Sequence, residues 1–115
     1  MKIKLPWPPK ELNPNSRCHW AMKAKAVKLY RESCFWIVKG EAMQRPDGPA
    51  IIAITFCPPD ARRRDDDNCL SMFKAGRDGI ADALGINDNG LMLQVQMGEP
   101  VKGGAVFVEI KARAA

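Results

Sequence analysis

The stretch that decides the fold is Ala50-Ile51-Ile52-Ala53-Ile54-Thr55-Phe56-Cys57. It is apolar on both alternations and rich in β-branched residues, which predicts a central strand with both faces covered. Pro58-Pro59 stops it, and Arg45-Pro46-Asp47-Gly48-Pro49 supplies turn residues just before it. Upstream of that turn, from about Trp20 to Met43, the pattern is helical. Trp20, Ala24, Val27, Cys34, Val38 and Ala42 recur at intervals of three, four or seven, which predicts one buried face. Lys23, Lys25, Lys28 and Lys39 fall mostly elsewhere, as a solvated face does.

Outward from this core, Lys2 to Leu5 reads as a short strand, with Ile3 and Leu5 alternating against lysines. Four prolines keep the segment from Pro6 to Arg17 out of any helix or central strand. Trp7 and Leu12 give that loop something to bury. Downstream, a second helix is expected from about Asp67 to Leu84, with Gly85 as its C-terminal cap. Gly76 and Gly79 each weaken it by ~1 kcal/mol relative to alanine, so it should bend there or approach a neighbour closely. Asn87-Asp88-Asn89-Gly90 is a turn signal, Leu91 to Met97 a strand, Lys102-Gly103-Gly104 a turn, and Ala105 to Lys111 a last strand. The order β-α-β-α-β-β fits an α+β or mixed α/β class. The expectation is a single small domain over residues 1–115, with a mixed sheet of about four strands and two helices packed on it.

A chain of 115 residues makes one core without staples. Its 46% apolar and 27% charged residues exclude disorder and low complexity. No apolar run approaches the ~20 residues of a membrane span, and Met-Lys-Ile-Lys-Leu-Pro has no secretory h-region, so a cytoplasmic protein without a membrane partner is expected. The net charge of +5 favours an anionic partner such as nucleic acid. Cys18, Cys34, Cys57 and Cys69 form no CxxC pair, so they read as reduced, mostly buried thiols rather than a zinc site. A single histidine, His19, argues against histidine-based catalysis. Chemistry here must come from carboxylates, lysine or metal.

The densest feature is Asp60-Ala61-Arg62-Arg63-Arg64-Asp65-Asp66-Asp67-Asn68, just after the central strand. Three consecutive aspartates repel one another, and something must offset that cost. In an extended segment Asp65 and Asp67, two apart, point to the same side. Two hard oxygen ligands side by side suit Mg²⁺ or Mn²⁺, which bind through one or two carboxylates and keep their waters. An acidic helix N-cap accounts for the same residues without a metal. A calcium EF-hand loop fails, because Leu70 stands where glycine is needed and Gly76 where glutamate is needed. Counting ~100° per residue along the helix, Lys74 falls within ~20° of Asp67, where it could stabilise charge on a phosphate. A plain ion pair with Asp78 at i+4 explains Lys74 equally well. Asp88, in the next turn, is a further carboxylate. Arg62, Arg63 and Arg64 beside the acidic pair fit a phosphodiester, since arginine forks match phosphate oxygens.

Two stretches resemble the RusA family of Holliday-junction resolvases. One is Leu5-Pro6-Trp7-Pro8-Pro9 with Asn13 and Arg17 following; the other is Arg63-Arg64-Asp65-Asp66-Asp67-Asn68 with the later Asn87-Asp88. The Lys102-Gly103-Gly104 turn is similar as well. The resemblance implies a homodimer that binds branched DNA, the four-way junction, and makes paired nicks by Mg²⁺-dependent hydrolysis. By position it implies Asp65, Asp67 and Asp88 as metal ligands, with Arg64 and its neighbours Arg62 and Arg63 near the backbone phosphates; Arg17 and Lys102 are further candidate DNA contacts. Where some members carry a functional lysine this chain has Ser71, and Lys74, one turn on, is the candidate replacement. Asp66 occupies a variable middle position and is left out of the metal shell. Alternatives are a branched-DNA-binding phage protein without catalysis, and a less selective flap or fork nuclease. The first helix and the strand Leu91 to Met97 are the candidate dimer faces.

Overall fold

The Ala50–Cys57 segment does form the strand its composition requires, second from one end of a four-stranded sheet. The computed structural model describes residues 2–41, 48–62, 64–86 and 91–112. In chain order the elements are β1 (Lys2–Pro6), a short 3-10 helix (Lys10–Leu12), α1 (Trp20–Gly40), β2 (Ala50–Cys57), α2 (Asp66–Met72), α3 (Lys74–Leu84), β3 (Leu91–Met97) and β4 (Ala105–Ala112). The sheet order is β1-β4-β2-β3, with β2 parallel to β3 and antiparallel to β4, and β1 antiparallel to β4. Register sets Ile54 between Val108 and Val95, and Leu5 against Val106. Pro6 ends an edge strand, where a missing N–H costs no interior ladder bond. The fold is thus a small α+β domain with a mixed sheet, as expected. No helix among the described residues is long and apolar enough to cross a membrane.

All the helices pack on one face of the sheet. Ile3, Leu5, Ile52, Ile54, Phe56, Val106 and Val108 meet Tyr30, Cys34 and Val38 of α1 and Phe73, Ile80 and Ala83 around α3. Each fully buried aliphatic or aromatic side chain here contributes about 1.5–3 kcal/mol. This corrects the expectation that β2 is covered on both faces: Ile51, Ala53 and Thr55 are only half-buried. Their shelter comes from the register, which places Lys111 and Met92, Glu109 and Gln94, and Phe107 and Gln96 beside them.

The first helix also turns differently from its expected face. Cys34 and Val38 are buried as predicted, but Trp20, Ala24 and Val27 face solvent, and Tyr30 takes the inward position. Length is the reason. α1 has 21 residues and α3 only 11, so at ~1.5 Å per residue the first turns of α1 outrun their partner. α1 ends at Gly40 rather than near Met43, and Ala42 lies outside the described residues. On its outer side Met22, Leu29 and Trp36, seven apart, remain 57%, 52% and 68% exposed.

The helix expected from Asp67 to Leu84 is two helices meeting at Phe73. The Phe73 ring is fully buried between Phe56 (5.8 Å) and Tyr30 (6.2 Å), both edge-on. The change of helix falls at this anchor and not at the glycines. Gly76 and Gly79 instead allow close approach: a Cβ on Gly79 would run into the Arg31 carbonyl oxygen of α1. Gly85 caps α3 in the left-handed region at φ 66°, as expected. Residues 87–90 lie outside the described residues.

Candidate active site

Because β1, β2 and β3 run in the same direction, their carboxyl ends lie at one end of the sheet, where β4 begins. Ligands of open α/β sheets bind in the crevice at such an end. Three connections meet there: the loop after Pro6, the charged segment after Cys57, and the link from Gly98 to Gly104. The Gly98 and Val101 N–H groups donate to the Phe56 and Pro58 carbonyls at 2.9 Å each, fixing the third connection to the second. Gly104, at φ 74°, lies against Trp7 so closely that a Cβ would sit 2.8 Å from Trp7 Cβ. Only glycine fits that turn. Trp7 also meets the Phe56 ring edge-on at 6.3 Å, so the rings of Trp7, Phe56, Phe73 and Tyr30 run continuously from the loop into the core. The Tyr30 hydroxyl donates to the Pro6 carbonyl at 2.6 Å, tying α1 to the start of this loop.

The charged segment folds around Asp60. Its carboxylate accepts from the Arg62 backbone N–H (3.0 Å), from Arg62 Nε and from an Arg64 amino group (2.8 Å). Those bonds, Arg64's first, hold the Asp60 carboxyl well below the usual carboxylate range. Arg64 also donates to the Asp60 and Arg62 carbonyls, and its guanidinium lies 5.9 Å from the Trp7 ring centroid. Arg64 is therefore mostly sheltered and fixed, whereas the Arg62 side chain is 80% exposed.

Asp65 is the N-cap of α2: its Oδ1 accepts the Asp67 N–H at 2.9 Å. This corrects the argument that brought Asp65 and Asp67 together. Asp65 alone is extended, and Asp66 already begins the helix, so a capping turn rather than strand alternation joins them. The turn gathers Asp66 too. One carboxylate oxygen from each of Asp65, Asp66 and Asp67 lies within 4.8 Å of the others, and all three residues are exposed. A hard cation with ligand distances of about 2.1–2.5 Å fits such a span. Asp66, left out of the expected shell, thus lies within the same span as Asp65 and Asp67.

Lys74 lies past the Phe73 junction, so the helical count from Asp67 does not run unbroken to it. Its Nζ pairs with Asp78 Oδ1 at 2.7 Å, the i+4 alternative. Arg17 is exposed in the loop before α1, and Lys102 is exposed in the turn that Gly104 presses against Trp7. Asp88 and Arg63 lie outside the described residues, as do Asn87 and Asn89. His19 caps α1, its Nδ1 accepting the Ala21 N–H at 3.1 Å. The four cysteines are free, and three are buried.

Two recesses open at this end. One, about 500 Å³, lies between the Trp7 loop and α2; the other, about 580 Å³, reaches Asp66 and Met97 at the end of β3. Arg64, Asp65 and Asn68 line both, so they form the shared wall. The sequence pattern marks neither Asn68 as a wall residue nor Asp60 as the arginine clamp. The four-residue spacing of Asp60 and Arg64 was the available signal.

No protein-family model matches the chain. It is similar to an uncharacterized protein of Xylella fastidiosa (strain Temecula1 / ATCC 700964), 46% identical over 90 residues. That alignment takes in 75% of this chain and 59% of the relative, so the chain spans about three-fifths of the protein it matches.

Proposed function

We propose that this chain is a structure-selective endodeoxyribonuclease that resolves four-way DNA junctions by Mg²⁺-dependent phosphodiester hydrolysis, in recombination and repair. The observation that carries the reading is the clustering of the Asp65, Asp66 and Asp67 carboxylates beside an arginine- and indole-walled recess at the carboxyl ends of three strands. A net charge of +5 and the resemblance to RusA resolvases support it. Asp65 and Asp67 hold the cation, with Asp66 in reach of it and Asp88 added by resemblance. Bound Mg²⁺, or Mn²⁺ in its stead, supplies charge neutralisation at the scissile phosphate and a more acidic water.

The chain's own side chains do the positioning. Arg64, locked by Asp60 and Trp7, offers a guanidinium in a fixed place, while Arg62, exposed but paired with Asp60, reaches the backbone by exchanging that carboxylate for a phosphate. Exposed Arg17 and Lys102 are further candidate DNA contacts, with Arg63 added by resemblance. Lys74 joins only by exchanging Asp78 for a phosphate. Paired nicks need two sites, which a homodimer supplies. The outer apolar stripe of α1 and the edge strand β3 are its candidate faces.

The test is cleavage of a labelled synthetic four-way junction, with linear duplex and a flap alongside, in Mg²⁺, Ca²⁺ and EDTA. Symmetric nicks confined to the junction in Mg²⁺, and lost in Asp65→Asn, are expected. Cleavage by Asp65→Asn at the parental rate would sink the assignment. Equal cutting of all substrates would leave a nuclease without junction selectivity. The cap bond of Asp65 and the Lys74–Asp78 pair favour a second reading, a branched-DNA binder without catalysis, because both account for those residues without a metal. It predicts salt-dependent junction binding with no product in any metal.

A further inference from the structure

We propose that the recess between the proline-rich loop and α2 receives one unstacked nucleotide of the DNA strand, its base lying on Trp7 and its phosphate on Arg62 and Lys10. The inference rests on the nuclease reading and adds to it a subsite that selects a base.

The recess, about 500 Å³, falls within the ~300–1,000 Å³ of small-molecule sites. Its walls differ in chemistry. Trp7 and Pro8 face it from the loop and Pro59 and Met72 from the opposite side, while Lys10 and Arg62 bring positive charge. An apolar ligand would make no use of Lys10 or of the two asparagine amides, and a bare phosphate would have no use for the indole. An aromatic ring joined to a phosphate uses both.

Trp7 is held for this task. Gly104 presses on one part of it, Phe56 supports its edge, and Arg64 lies over the ring, so its remaining surface is set before any ligand arrives. Stacking on a prearranged aromatic ring is how proteins hold bases removed from a helix. Base-edge groups are present too. Asn13 Oδ1 accepts the Asn15 N–H at 2.8 Å, leaving its amide donors for a ligand. Asn68, on the first turn of α2, makes no side-chain hydrogen bond among the described residues and borders both recesses. The wall of Arg64, Asp65 and Asn68 sets this nucleotide next to the carboxylates, one step along the strand from the bond to be cut.

The test uses four-way junctions carrying a single abasic site moved position by position around the crossover, with binding in Ca²⁺ and cleavage in Mg²⁺ by the full chain. In the parent, one position should lower binding about tenfold, the size of a lost base–aromatic stack. Trp7→Ala should erase that difference, and Asn68→Ala, which empties no core position, should reduce it and relax base preference at the same place. An unchanged abasic profile in a folded Asn68→Ala, with cleavage retained, would overturn the subsite and leave the nuclease reading intact. Failure of the parent to bind or cut any junction would overturn both. A titration with free deoxynucleoside monophosphates in EDTA, read by tryptophan fluorescence, separates the sources: saturation there with a flat abasic profile would make the ligand a free nucleotide and overturn the assignment to DNA.

Discussion

Alanine at position 79 should destabilise this domain although it improves helix propensity. In an exposed helix, Gly→Ala gains about 1 kcal/mol. Here the added methyl would overlap the Arg31 carbonyl oxygen and sit 3.2 Å from Cys34 Cβ and the Phe35 nitrogen. A backbone oxygen cannot rotate aside, so α1 and α3 must part by roughly 1 Å to restore an ordinary carbon–oxygen contact. That separation loosens Tyr30, Cys34, Val38 and Ile80, all in the core cluster. Overpacking of this kind costs about 1–3 kcal/mol, and the rigid obstacle puts it near the upper end. The net loss is about 2 kcal/mol, or roughly 8 °C at ~4 °C per kcal/mol for a chain of this size. Gly40→Ala is the control, because nothing lies within 4 Å of a Cβ there. Thermal and urea unfolding followed by circular dichroism would show Gly79→Ala falling while Gly40→Ala holds or rises slightly. If both variants hold or gain stability, the close helix crossing is wrong.

Three further outcomes are expected. Asp65→Asn should keep the stability of the domain within a few tenths of a kcal/mol, since asparagine caps as well as aspartate, while Mg²⁺-dependent cleavage falls about 100-fold or more; unfolding curves and junction assays on one preparation separate the two roles. Tyr30→Phe removes the donor to the Pro6 carbonyl and should cost about 1–2 kcal/mol in urea unfolding, with a shift in Trp7 fluorescence because the loop start is released. Alkaline pH should weaken the fold through Cys34, whose thiol burial pushes up to about 11. A raised pKa means the folded state favours the protonated thiol, so its contribution is whole below the unfolded value near ~8.5 and is lost as pH rises through about 11. Urea midpoints at neutral and alkaline pH would fall less in Cys34→Ala than in the parent, and an equal fall would refute the sign.

Much of the architecture was legible because β2 carries so much of it: a β-branched run bounded by prolines permits little besides a strand. That same run could not say how many of its faces are covered, since apolar alternations look alike whether the neighbour is a helix or the edge of an adjacent side chain. The rotation of α1 was beyond periodicity because a glycine 45 to 48 positions downstream of Cys34 and Arg31 sets where the two helices touch. At the site, the aspartates and arginines stood out by density alone. Their division of labour did not, because Asp60 reaches Arg64 across a turn and Trp7 meets Gly104 from the far end of the chain.

The row of four rings from Tyr30 through Phe73 and Phe56 to Trp7 gives the cleft no boundary with the interior. A ring displaced anywhere along it moves the next, so a substitution chosen to tune recognition would be felt first as a change in melting, and a core substitution as a change in what the cleft accepts. Selection acting on either property therefore acts on both.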